Sequence, residues 1–246
     1  MPQNAPLFIV AARHPRVGKT LLARLLTEFY RSGGRPVAGY DLDAREPSFA
    51  ASFPDLATTV DIAGTAGQMA LFDRVVGDNA RPAVIDLGYG VTDRFFDVMA
   101  EIAFEREARR QRIDPVVLFI ADSAPVTARH YADLRRRLPL TTFVPVHNEA
   151  TAFMVIEHDF PPSRRDQGML RVPRLSPVVR GVVDRPGFSF AAYVEQRHPG
   201  GPTEIHSWVA RIFEQFRELE LRLLIGALDS SLRGSGGAPS PARQIL

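Results

Sequence analysis

Two periodicities trade places along the chain. Residues 7–12 (LFIVAA) are an unbroken apolar run of strand character. Residues 20–34 (TLLARLLTEFYRSGG) space their apolar positions three or four apart until Gly33-Gly34 stops them, which predicts a strand and then a helix. The alternation repeats. Strands are predicted at 36–43 (PVAGYDLD), 58–63, 81–86, 114–122, 141–148 and 167–175. Helices are predicted at 67–77, at 91–112 as one long amphipathic element, at 124–138, at 177–196 as a broken helix, and last at about 203–228. Apolar strands alternating with helices predict an α/β fold, a mostly parallel sheet with helices on both faces. One domain over 1–232 is the simplest reading of 246 residues. Residues 233–246 (RGSGGAPSPARQIL) read as a disordered tail.

Composition then removes several kinds of chemistry. There is no cysteine, which excludes disulfides, thiolate metal sites and cysteine nucleophiles. The first residues, MPQNAPLFIV, lack a basic n-region and lead straight into the first strand, so no signal peptide is expected. No apolar run reaches the ~18 residues of a membrane span, and a soluble cytoplasmic protein is expected. The formal charge of +2 is small, a weak sign of nucleic-acid binding.

The chain has a single lysine, Lys19, within Gly18-Lys19-Thr20; the rest of its 30 Lys and Arg residues are arginine. A compact, flexible ammonium suits a phosphate chain better than a wide planar fork. Strand, loop, Gly-Lys-Thr and helix follow in the order of a P-loop, whose backbone N–H groups and helix dipole favour phosphate oxygens. The alternative is an ordinary turn between strand and helix. The pattern G-x-x-x-x-G-K-[ST] would place glycine where this chain has Arg13.

Acids fall at strand ends, where parallel sheets bind ligands: Asp41 and Asp43 after one strand, Asp86 after another. Such a set suits a metal shell and an attacking water. Strand-end aspartates also cap helices.

With these residues in place, the chain resembles ParA/MinD-type ATPases of the deviant Walker A class, and is similar also to the bacterial tyrosine kinases. The carrying stretches are HPRVGKT, YDLDAREPS and AVIDLGYG, with LRVPRLSPVVRGVVDRPGFSFAAYV as a looser late match. The resemblance implies a Rossmann-like P-loop NTPase fold, ATP and Mg²⁺ as cofactors, slow hydrolysis and a nucleotide-dependent homodimer. It implies that Pro15, Arg16, Val17, Gly18, Lys19, Thr20 and Leu21 hold the phosphates, that Thr20, Asp41 and Asp86 serve the metal, and that Asp43 positions water. It places Asn148 by the adenine and the backbone near Pro173 over the base. ATP is expected over GTP, because an N-K-x-D motif needs a second lysine.

The loop departs from that family. Its signature lysine, which reaches a partner's nucleotide, is His14 here, with Arg13 beside it as a possible arginine finger in trans. Pro15 and Arg16 replace flexible glycines. The kinases' tyrosine-rich tail is absent. Three functions therefore stand at this point: a switch ATPase with an unidentified protein partner, in partitioning or positioning of DNA or another cargo; a protein kinase; and a scaffold without catalysis.

The remaining features read more plainly. The runs EREARRQR and RRRLP are solvated helix faces or a non-specific DNA surface. Ile205, Trp208, Ile212, Phe216, Leu219 and Leu223 form one apolar stripe, which packs on the sheet or serves dimerisation. His130, His147 and His158 make no metal pattern, and no nucleophile-elbow motif is present.

Overall fold

The computed structural model describes residues 4–163, 168–185, 187–196 and 198–235, with side chains to residue 226. Its centre is a seven-stranded parallel sheet in the order β3-β2-β4-β1-β5-β6-β7. The strands are β1 (Ala5–Ala12), β2 (Ala38–Asp41), β3 (Ala57–Thr59), β4 (Ala83–Asp86), β5 (Ile113–Ala121), β6 (Thr142–Asn148) and β7 (Leu170–Val172).

Strand period two sends alternate side chains to opposite faces. Leu7, Ile9 and Ala11 of β1 join one core with Leu71, Phe95, Phe96 and Tyr131. Phe8, Val10 and Ala12 join the other with Leu22, Phe29, Phe190 and Trp208. The first face is covered by α3 (Thr65–Gly77), α4 (Thr92–Glu101), α5 (Phe104–Arg110) and α6 (Pro125–Arg137). The second is covered by α1 (Lys19–Ser32), α2 (Ser48–Ser52), α7 (Pro177–Val183), α8 (Phe190–Glu195) and α9 (Glu204–Ser235). The α/β class and helices on both faces are as the sequence predicts.

Two elements correct the sequence reading. The single helix expected at 91–112 is two, α4 and α5, joined through Ala103 at φ 51°. The break lets Phe104 and Ala108 reach the core that α4 reaches with Phe95 and Met99, and Phe104 packs 4.7 Å from Phe72. The last helix runs to Ser235, so residues 233–235 are helical; residues 236–246 of the expected tail lie outside the described residues. The apolar stripe of α9 lies against the sheet, with Phe216 meeting Phe29 of α1 at 5.6 Å.

Candidate nucleotide-binding site

The carboxyl ends of β1, β2 and β4 converge because these strands are neighbours in register, with Asp41 directly beside Asp86. A cleft of about 570 Å³ opens over them. The P-loop lines it with Pro15, Arg16, Gly18, Lys19, Thr20 and Leu21, and the strand ends with Asp43, Asp86 and Gly88.

The loop's second half is held from behind. Gly18 sits at φ 98°, and a Cβ there would lie 2.5 Å from Asn148 Nδ2; both facts demand glycine. The same Asn148 nitrogen donates to the Val17 carbonyl at 2.9 Å. Lys19 opens α1 and is buried. Burial lowers its pKa, while Asp86 and Asp43 act in the opposite sense.

Thr20 Oγ1 donates to Asp86 Oδ2 at 2.6 Å. The other oxygen of Asp86, Oδ1, is buried without a hydrogen-bond partner among the described residues. Desolvation pushes the Asp86 carboxyl up to about 7; the Thr20 hydroxyl opposes this, Asp41 adds to it, Lys19 opposes it and Asp43 adds. A buried acceptor left unpaired in a native fold calls for an explanation, and an ion is one. Thr20 and Asp86 therefore fit a hard cation such as Mg²⁺. That ion is usually held by one or two carboxylates together with waters and substrate phosphates.

Asp43 is half-buried on the rim. Its Oδ1 accepts from the Glu46 N–H at 3.2 Å. It fits because residue 88 is glycine: a Cβ there would lie 3.0 Å from Asp43 Cα and Cβ.

Other expected site residues have different work. Asp41 is only 1% exposed, and its oxygens accept from the backbone N–H groups of Asp43 (3.0 Å), Phe49 (2.9 Å) and Ala50 (2.9 Å). It caps the first turn of α2, a helix the sequence reading did not anticipate. Asn148 holds the P-loop through its bond to the Val17 carbonyl. The Pro173 carbonyl accepts from Trp208 Nε1 at 2.7 Å, and Pro173 does not line the cleft. Arg13 lies 3.7 Å from Asp93, and His14 Nδ1 lies 2.7 Å from Asp122 Oδ2; neither lines the cleft. Against its own burial, Asp122 is held below the usual carboxylate range by hydrogen bonds from His14 and Thr127.

Part of the cleft lining was not anticipated from the sequence. The lining also includes Arg24, Arg180, Asp184, Thr151 and Tyr89. Arg180 Nε donates to Asp184 at 2.7 Å. Arg24 donates to the Phe188 carbonyl at 2.8 Å and stands 5.3 Å over the Phe190 ring. The one available signal was periodicity: Arg24 is one helical turn after Thr20, and Arg180 and Asp184 are spaced to share a helix face.

No protein-family model matches this chain, and no curated protein does. Among solved structures it is similar to a ParA family ATPase from Chlorobium tepidum TLS. That match has a TM-score of 0.51 and 10% identity, over 83% of this chain and 96% of that one. Another is a nucleotide-binding protein from Archaeoglobus fulgidus in complex with ADP, with a TM-score of 0.40 and 15% identity. The alignment covers 58% of this chain and spans only 66% of the Archaeoglobus protein. The chain thus has the fold of ParA-type P-loop proteins. No helix among the described residues is long and apolar enough to cross a membrane.

Proposed function

We propose that this chain binds ATP with Mg²⁺ in the cleft over the P-loop and hydrolyses it slowly, as a switch that closes into a homodimer. The observation that carries the reading is the meeting of the sole lysine, Lys19, with Thr20 and Asp86, one of whose oxygens is buried and unpaired. The ParA-type fold supports it.

In this reading the Lys19 ammonium balances the charge of the β- and γ-phosphates. Backbone N–H groups of the loop and the first turn of α1 receive their oxygens. Thr20 and Asp86 would hold Mg²⁺, which would supply further charge neutralisation at the phosphates. Asp43, on the rim, orients the attacking water. ATP over GTP rests on the family resemblance and on the absence of an N-K-x-D motif. Handing the nucleotide state to a protein partner, or to DNA or another cargo, is the work this class implies.

Asp43→Ala tests the reading. The variant is expected to bind Mg-ATP with wild-type affinity and to release phosphate about a hundredfold more slowly. Trapped with ATP, it is expected to double its mass in light scattering. Phosphate release at the wild-type rate removes Asp43 from the chemistry. An unchanged mass with and without nucleotide removes the dimer switch and favours the scaffold.

A further inference from the structure

Arg16 holds a backbone conformation that disfavours a side chain. Its φ is 58°, in the left-handed region, where a residue other than glycine is strained and where such strain concentrates at functional sites. The side chain is exposed, the residue lines the cleft, and its guanidinium makes no hydrogen bond or ion pair within the described residues.

The neighbouring basic side chains have partners of their own. Arg13 faces Asp93, and His14 faces Asp122. Arg24 donates through Nη2 to the Phe188 carbonyl, its Nε being buried without a partner among the described residues, and Arg180 donates to Asp184. Lys19 lies in the fields of Asp86 and Asp43. A nucleoside triphosphate brings several negative charges into a cleft whose other cations already have acidic or carbonyl partners. Arg16 precedes Lys19 by three residues in the same loop, and guanidinium–phosphate contacts are strong, forked hydrogen bonds.

Resting on the nucleotide-site reading, we propose that Arg16 binds the terminal phosphates of the nucleotide held by its own loop, as a second cation supplied in cis. It makes the cleft select triphosphate over diphosphate.

The test compares wild type, Arg16→Gly and Arg16→Lys by calorimetry, with a non-hydrolysable ATP analogue and with ADP, each with Mg²⁺. Glycine suits the left-handed backbone, so Arg16→Gly is expected to fold with an unchanged or higher Tm. Its affinity for the ATP analogue is expected to fall about ten- to a hundredfold, its affinity for ADP much less, and Arg16→Lys is expected to recover part of the loss. A glycine variant with wild-type affinity and wild-type preference overturns the role of Arg16 and leaves the site reading standing. A loss that appears only at protein concentrations where the chain dimerises overturns the assignment in cis. Wild type that binds neither nucleotide overturns the site reading, and this inference with it.

Discussion

The ends of β2 and β4 differ in one respect. Asp41 and Asp86 occupy paired positions in the sheet, both are buried, and burial raises both pKa values. Three backbone N–H groups satisfy Asp41. Asp86 receives one hydroxyl and keeps an unpaired oxygen. The first acid organises the chain beside it; the second is left unsatisfied by the fold, as a ligand site is. Residue type and position on the strand do not separate these roles. The supply of neighbouring donors does.

The largest expected separation is functional. Asp86→Asn keeps an acceptor for Thr20 but removes the charge a cation needs. Magnesium-stimulated phosphate release is expected to fall about a hundredfold, measured against added Mg²⁺. A variant that responds to Mg²⁺ as wild type does breaks the comparison from the Asp86 side.

The second separation is in stability. Asp41→Ala leaves three backbone donors without their charged acceptor, at a cost of about 3 kcal/mol or more. That corresponds to a Tm lower by about 10 °C in a chain of this size, read by thermal melting without ligand. A Tm within a degree or two of wild type breaks the comparison from the Asp41 side.

The third separation is smaller and lies in pH. The folded pKa of Asp86, about 7, is above its ordinary value of 3.8. Its contribution to stability is therefore fully present below about pH 4 and is lost as pH rises through about 7. Asp86→Asn has no such loss, and at pH 8 the nucleotide-free variant is expected to be more stable than wild type by roughly 1 kcal/mol. Lys19 limits the gain, since it loses a charge partner. Denaturant melts at pH 5 and pH 8 measure the difference; a variant less stable at both sharpens Asp86 into a second structural acid.

Sequence reading reached the sheet because strand and helix periodicities are local. It located Gly18, Lys19 and Thr20 because their order in a strand–loop–helix unit is local too. It missed what distant residues decide. Asp41 and Asp43 are both strand-end acids in the sequence; only the placing of Phe49 and Ala50 behind Asp41 makes it a cap. Asn148 lies far along the chain from Val17, and nothing local says that its amide meets that carbonyl. Nothing local to Arg13 and His14 says that Asp93 and Asp122, from distant parts of the chain, stand beside them. The break at Ala103 likewise follows from where Phe104 must reach, not from any residue of low helix propensity.

The central claim is that the cleft over the P-loop is a nucleotide site with Lys19 as its phosphate ligand. Calorimetric titration of Mg-ATP into wild type and into Lys19→Ala tests it most directly. The wild-type protein is expected to bind one nucleotide per chain, and the variant, which lacks the only lysine, to lose about a hundredfold or more in affinity while keeping its fold. Equal affinities for the two proteins would contradict the account.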